Sequence, residues 1–171
     1  MLSLQPVTDL IARLRRPRHQ LYWLTDDIAI SRLPDPGDLR SMHRAGVRCV
    51  VDVRLETEDR RALFDRAGLR YLQVPIAEGS APTIAHLRLV TDWIVERLAN
   101  EGPVLVHCRE GRGRSALVAC ATLVKRGAPL FEAYQALRRA RPETVLNDEQ
   151  AEALRRFAIV HELRTAAHLS R

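Results

Sequence analysis

Several features are scarce in this 171-residue sequence, and each scarcity excludes a class of protein. Three cysteines are too few for the disulfide framework of a small secreted domain. No apolar run approaches the length of a membrane-spanning helix. Aromatic residues make up only 5% of the chain and do not cluster with its basic residues, which argues against a nucleic-acid-binding surface. We therefore expect a soluble globular protein with neither a membrane span nor a nucleic-acid partner.

Lysine is nearly absent, since Lys125 is the single lysine among 27 basic residues. The formal net charge is nevertheless +6, which favours acidic partners such as phosphorylated molecules. The length predicts one domain, placed at 21–165, with an N-terminal extension over 1–20 and a tail over 166–171. The extension contains a predicted helix over 3–16 and a basic cluster. This cluster is either the solvated end of that helix, which we favour, or an acidic-ligand patch or targeting segment.

Apolar periodicity and turn residues alternate along the chain in the manner of an α/β fold. Strands are predicted at 21–24, 28–31, 47–53, 70–74 and 104–106. Helices are predicted at 36–45, 57–67, 83–100, from 116 onward, 130–140 and 148–165. We therefore expect a single central sheet of four or five mostly parallel strands with helices on both faces.

The stretch from Pro103 to Ser115 carries the strongest chemical signal. Its apolar run Val104–Val106 predicts a buried strand, a loop with two glycines and three arginines follows, and an apolar helix begins at Ala116. Free N–H groups of such a loop and the dipole of the helix both favour negative charge. The stretch therefore predicts an anion-binding cradle.

The same loop is suited to activating Cys108 as a nucleophile, because a helix N-terminus and nearby guanidiniums stabilise a thiolate. Arg114 is placed to grip two phosphate oxygens with its planar fork. Ser115 is placed to donate to the thiolate when it departs, and His107 to hold Cys108 by a hydrogen bond within the loop. Positive φ at Gly111 and Gly113 would turn the loop amides inward.

The sequence His107-Cys108-Arg109-Glu110-Gly111-Arg112-Gly113-Arg114-Ser115 resembles the HCxxGxGR[ST] signature of the Cys-based protein tyrosine phosphatase superfamily. The order of elements over 20–160 resembles its compact dual-specificity branch. A structural cysteine beside a basic loop and a rhodanese-type sulfurtransferase are weaker alternatives, since neither requires Arg114-Ser115 at this spacing. The resemblance implies phosphate binding by residues 109–114, a phosphocysteine intermediate and no metal or other cofactor.

The resemblance also implies an acid that protonates the leaving group, an aspartate in a Pro-Ile-x-Asp pattern. Here Pro75-Ile76-Ala77-Glu78 places a glutamate at that position, and Glu78 is the predicted general acid. The alternative is an ordinary exposed loop glutamate. Glu110 is the rival acid, but we expect it to point outward and pair with an arginine.

Supporting residues are predicted on three other segments. Asn147 and Gln150 resemble the segment that positions the hydrolytic water, although Asn147 equally suits a helix cap. Asp52, at the end of a strand, is expected either at the pocket rim or as a cap of the helix that follows. Glu56 and Glu58 are expected either at the pocket rim or, as we favour, to cap a helix begun by Thr57 or to face solvent. Cys49 is expected in the core rather than as a redox partner of Cys108.

The predicted substrate is a protein phosphorylated on tyrosine, and dual specificity would extend this to phosphoserine and phosphothreonine. A non-protein phosphate is the alternative, because Arg109 and Arg112 resemble the basic loop residues of phosphoinositide phosphatases. A catalytically weak phosphate-binding module is a third possibility, supported only by Glu78 in place of aspartate. A catalytic thiolate needs a reducing compartment, so the cytoplasm is expected. The sequence makes no prediction of oligomeric state.

Overall fold

The computed structural model describes residues 19–56 and 59–169. The strands are β1 (Tyr22–Trp23), β2 (Ile28–Ser31), β3 (Cys49–Arg54), β4 (Arg70–Ile76) and β5 (Val104–His107). The α-helices are α1 (Leu39–Arg44), α2 (Arg61–Arg66), α3 (Ile84–Asn100), α4 (Arg114–Lys125), α5 (Leu130–Ala140) and α6 (Asp148–Leu169), and a 3₁₀ turn over Pro36–Asp38 precedes α1. In this part of the chain, no helix has the length and apolarity needed to cross a membrane.

The five strands form one sheet in the order β1-β2-β5-β3-β4. Only β1 runs antiparallel to its neighbour; the other pairings among the described strands are parallel. The predicted mostly parallel sheet is thus confirmed. At its centre His107 pairs in register with Ser31 of β2 and with Asp52 of β3. The residues that follow β5 therefore emerge at the carboxyl edge of the sheet, where parallel sheets carry their sites.

Helices cover both faces of the sheet. On one face α1 and α2 pack over β4 and β5 through Met42 and Phe64, with Phe64 stacked on Tyr71 at 4.7 Å between ring centroids. On the other face, α4 is surrounded by α3, α5 and α6. Every residue of α4 from Arg114 to Val124 is buried. The loop over 108–113, which connects β5 to α4 and which we call the phosphate loop after its predicted ligand, therefore leads directly into the centre of the larger core.

Several predicted boundaries differ from the structure. The helix predicted at 36–45 is a 3₁₀ turn followed by α1, since Pro36 and Gly37 occupy its first turn. The helix predicted at 57–67 begins at Arg61, whose N–H donates to the Asp59 carboxylate at 2.8 Å. Thr57, Glu58 and the helix predicted at 3–16 lie outside the described residues. The last helix continues to Leu169 rather than ending at 165.

Candidate active site

The loop between β5 and α4 wraps around the sulfur of Cys108. Cys108 is buried, and its Sγ accepts the backbone N–H of Gly111 at 3.1 Å. The hydroxyl oxygen of Ser115, in the first turn of α4, lies 3.4 Å from the same sulfur. The N-terminus of a buried twelve-residue helix points at this loop. The surroundings of the sulfur are therefore those of an anion-binding loop.

Gly111 is required by both backbone conformation and space. Its φ is +68°, and a Cβ added there would lie 2.4 Å from the backbone of Ser31. No side chain fits at that distance, so the loop closes against β2 only with glycine. Gly113 differs from the prediction, since its φ is −105°. Glycine there makes room for Gln150, whose amide would lie 3.0 Å from an added Cβ.

The Arg114 guanidinium is buried and held on one edge. Nη1 and Nη2 donate to the two carboxylate oxygens of Glu56 at 2.8 and 2.9 Å, and Nη1 also donates to the carbonyl of Ile76 at 2.9 Å. These contacts use three of the five N–H groups of arginine. Within the described part of the chain, no residue accepts from the Nε–Nη2 edge, which is a second parallel pair of donors of the kind that suits an oxyanion.

Glu56 was expected at the pocket rim or, as we favoured, as a helix cap or a solvent-facing residue. Its side chain is 39% exposed and does face solvent, but its partner was not predicted. Its carboxylate forms a bidentate ion pair with Arg114, and these hydrogen bonds lower the pKa of Glu56 to about 2. The two residues are 58 positions apart in the sequence, and only the strand β3 that precedes Glu56 brings them together. No local pattern could have indicated this pairing.

Arg141 is a second residue that the sequence did not indicate. It is buried just after α5, and its Nη1 donates to the carbonyls of Glu110 and Gly111 at 3.0 and 2.6 Å. Its guanidinium also lies over the ring of Tyr22, 4.3 Å from the centroid. Two carbonyls of the loop are thereby turned outward toward a cation. The N–H groups of the same two peptide units, at Gly111 and Arg112, point the opposite way, and the Gly111 N–H is the one that donates to the Cys108 sulfur.

The loop that carries Glu78 is tied to the start of α6. Asn147 Nδ2 donates to the carbonyl of Gly79 at 2.6 Å, and Gln150 Nε2 donates to the carbonyl of Ser80 at 3.4 Å. Asn147 Oδ1 also accepts the N–H of Gln150 at 2.9 Å, so the predicted helix cap is confirmed. Because of these contacts, the first turn of α6 fixes where the Glu78 segment lies.

A pocket of about 290 Å³ opens above Cys108. It is lined by residues from the phosphate loop, the Glu78 loop and the start of α6, which include Glu78, Cys108, Glu110, Arg112, Arg114, Asn147 and Gln150. Arg109 is exposed on the loop. Glu110 is exposed as expected, but no ion pair with an arginine forms among the described residues, contrary to the prediction. The pocket thus joins sequence segments that are up to about 70 positions apart.

Asp52 and His107 lie behind the phosphate loop, not at its rim. Asp52 is fully buried and accepts hydrogen bonds from Arg54 at 2.9 and 2.6 Å and from Tyr71 at 3.1 Å. The expected place of Asp52 at the pocket rim is therefore wrong. The His107 ring lies 3.7 Å from the Asp52 carboxylate and stacks on Phe64. Burial lowers the pKa of His107 to about 4, so the ring is neutral at pH 7.

The other two cysteines lie away from the pocket. Cys49 pairs in register with Val104, at the opposite end of β5 from Cys108, so the two thiols cannot form a disulfide in this fold. Burial raises the pKa of Cys49 and of Cys120 to about 12. Both are therefore inert core thiols. Among the described residues, no group of three His, Cys, Asp or Glu side chains is arranged to hold a metal ion.

Comparison with known proteins agrees with this geometry. A family model described as "Polymorphic toxin system, DSP-PTPase phosphatase" matches residues 32–128, more than half of the chain. The chain belongs to this family of dual-specificity and protein tyrosine phosphatases. Dual specificity phosphatase 28 of Homo sapiens is 34% identical over 108 residues, which cover 62% of this chain. The chain spans only 59% of that protein's length.

Solved structures show the same fold. Tk-PTP in its active form is 32% identical with a TM-score of 0.74, over 81% of this chain and 95% of Tk-PTP. PTPMT1 in complex with PI(5)P is 22% identical with a TM-score of 0.78, over 85% of this chain and 98% of PTPMT1. The relatives thus include a dual-specificity phosphatase, and one structural neighbour is described in complex with a phosphoinositide.

Proposed function

We propose that this chain hydrolyses phosphomonoesters with Cys108 as nucleophile, and that its substrates are proteins phosphorylated on tyrosine and on serine or threonine. The observation that carries the proposal is the geometry around one sulfur. The Gly111 N–H and the Ser115 hydroxyl contact the Cys108 Sγ, and the Arg114 guanidinium lies beside it in the same pocket with one edge unused. That arrangement suits a thiolate attacking a phosphoryl group.

In the first step the Cys108 thiolate attacks phosphorus in line with the leaving oxygen. A sulfur–phosphorus bond forms while the phosphorus–oxygen bond breaks, and Glu78 gives its proton to the leaving oxygen. The Nε–Nη2 edge of Arg114 and the inward N–H groups of residues 109–113 hold the equatorial oxygens. Glu56 and Arg141 act through these groups by fixing the guanidinium and the loop carbonyls.

In the second step water attacks the phosphocysteine, and Glu78, now a carboxylate, takes the proton from water. The sulfur–phosphorus bond breaks, inorganic phosphate leaves, and the Ser115 hydroxyl donates to the departing thiolate. We assign the positioning of this water to Asn147 and Gln150, since both line the pocket beside the Glu78 loop. No step needs a metal ion or another cofactor. A reduced Cys108 is required throughout, so the cytoplasm stays our prediction for location.

A phosphatase of small or lipid-borne phosphates is the second candidate. Two exposed arginines, Arg109 and Arg112, stand on the phosphate loop, and Arg112 lines the pocket. The phosphoinositide complex of PTPMT1 belongs to the same fold. Against this candidate, Glu78 and Glu110 line the same pocket and repel additional negative charge. An Arg112→Ala variant that loses activity only on polyphosphorylated inositol substrates would support it.

Cys108→Ser tests the proposal, with Cys120→Ser as the matched control. The control removes a buried thiol of α4 whose one hydrogen bond among the described residues is to the Ala133 carbonyl, a contact that serine can also make. We expect Cys108→Ser to abolish hydrolysis of phosphotyrosine peptides and 4-nitrophenyl phosphate while phosphopeptide binding is retained. Rapid acid quench and mass spectrometry of the wild type should find phosphate on the Cys108 peptide. Turnover by Cys108→Ser at the wild-type rate would refute the proposal.

A further inference from the structure

An apolar groove lies on the surface between α5 and the first turns of α6. It encloses about 540 Å³, and its lining is apolar except for one arginine: Leu130, Phe131, Tyr134, Leu146, Ala151, Leu154 and Arg155. Phe131 is 71% exposed, so one wall of the groove is an aromatic ring largely uncovered by the described residues. Contiguous exposed apolar surface of this kind is typical of a binding site.

The groove continues from the candidate active site. Val145, which is 65% exposed, lines the pocket above Cys108, and the next residue, Leu146, lines the groove. One turn further along the chain, Gln150 lines the pocket and Ala151 lines the groove. Because an α-helix rises 1.5 Å per residue, the groove lies within about 10 Å of the pocket along α6. One extended ligand can therefore occupy both.

We propose that this groove binds an apolar side chain of a phosphorylated polypeptide whose phosphorylated residue sits above Cys108. The proposal rests on the proposed function and adds a sequence preference to it. An extended peptide advances about 3.3 Å per residue, so the side chain that reaches the groove is about three positions from the phosphorylated residue. Leucine, methionine or phenylalanine at that position would be buried against Phe131 and Leu154.

Charge around the groove favours a polypeptide over an acyl chain of a lipid. Glu78 and Glu110 line the pocket, and Asp148 and Glu149 form the first turn of α6 between pocket and groove. The exposed arginines nearby are Arg109 and Arg112 on the loop and Arg155 at the groove, so this surface carries both signs of charge and is not the uniformly basic face that anionic headgroups select. A polypeptide can match such a mixed surface, because its backbone N–H groups donate to the carboxylates and its carbonyls accept from the arginines.

Phe131→Ser tests the proposal, with Leu163→Ser as a matched control. Both side chains are exposed, 71% and 67%, so neither substitution disturbs the core, and Leu163 lies far along α6 from the groove. The substrates are phosphotyrosine peptides of alanine with a single leucine moved through four positions on each side, and 4-nitrophenyl phosphate. We expect leucine at one position about three residues away to raise kcat/KM about tenfold in the wild type and in Leu163→Ser, but not in Phe131→Ser. Hydrolysis of 4-nitrophenyl phosphate should be equal in all three proteins.

Three results would overturn the proposal. Equal kcat/KM for all leucine positions would show that the groove does not contact the peptide. A wild-type dimer that Phe131→Ser converts to a monomer would assign the groove to a second copy of the chain. Hydrolysis of phosphoinositide micelles that depends on Phe131, without a peptide preference, would assign it to an acyl chain. A wild type inactive on 4-nitrophenyl phosphate would instead refute the proposed function, and this proposal with it.

Discussion

Replacing Gly111 by alanine tests whether the phosphate loop is held in one conformation. The added Cβ would sit 2.4 Å from the backbone of Ser31, where only movement of backbone can relieve the overlap. The φ of +68° adds a strain of roughly 1–2 kcal/mol for a residue with a Cβ. Overpacking against backbone costs about 1–3 kcal/mol more. The sum predicts that Gly111→Ala lowers the free energy of unfolding by roughly 2–5 kcal/mol.

Gly127→Ala separates the two contributions. Gly127 follows α4 at a φ of +96°, but an added Cβ there meets nothing within 4 Å. This variant should therefore show the backbone strain alone, about 1–2 kcal/mol, and keep full activity. Urea denaturation of both variants and of the wild type measures the difference, which is the cost of the overlap with Ser31.

Activity gives the second readout. If the loop moves to relieve the overlap, the Gly111 N–H leaves the Cys108 sulfur, and kcat/KM for 4-nitrophenyl phosphate should fall about 10²-fold or more. Gly111→Ala therefore loses stability, activity or both, whereas Gly127→Ala loses only stability. A Gly111→Ala protein as stable as Gly127→Ala and as active as the wild type would refute the described loop geometry.

Three further predictions concern ionisable side chains. Glu78→Gln should slow hydrolysis of alkyl phosphates about 10²-fold or more but affect 4-nitrophenyl phosphate far less, since a good leaving group needs no acid; equal losses on both would remove Glu78 from that role. Glu56→Gln should lower kcat/KM about tenfold and raise the Ki of inorganic phosphate, because the Arg114 fork loses its fixed partner; tighter phosphate binding would contradict this. Burial lowers the pKa of His107 from 6.5 to about 4, so between these values the unfolded state binds more protons and stability falls as pH falls. Urea denaturation between pH 7 and pH 4 measures this effect. Over that range the free energy of unfolding of His107→Asn should change by roughly 3 kcal/mol less than that of the wild type. The same pH dependence in both proteins would contradict the burial of a neutral ring.

The fold could be predicted from sequence wherever the signal was local. The mostly parallel sheet, the core position of Cys49 and the cap of α6 by Asn147 followed from periodicity and capping patterns. The first residues of helices that begin in polar stretches were predicted less accurately. The helix predicted to begin at Thr57 begins at Arg61, and the hydrogen bond from the Arg61 N–H to the Asp59 carboxylate is visible only in the structure.

In the candidate site, too, residues that are close in sequence could be predicted and residues that are distant in sequence could not. The residues from His107 to Ser115 are contiguous, so their spacing alone predicted the loop. Glu56 and Arg141 reach the loop from 58 and about 30 positions away through the sheet and through α5. Their side chains carry no local pattern that distinguishes them from the many other charged residues of the chain. Only the register of β3 beside β5 gives Glu56 its partner.

The burial of α4 links turnover to the integrity of the whole domain. Past its first turn, α4 is enclosed by the sheet and three helices, and amide hydrogens in such a position exchange with solvent mainly when the protein opens globally. During refolding, the recovery of phosphate release should therefore coincide with the protection of the α4 amide hydrogens against exchange with deuterium. Enzyme assays then double as a measure of the natively folded fraction after mutation, heating or storage.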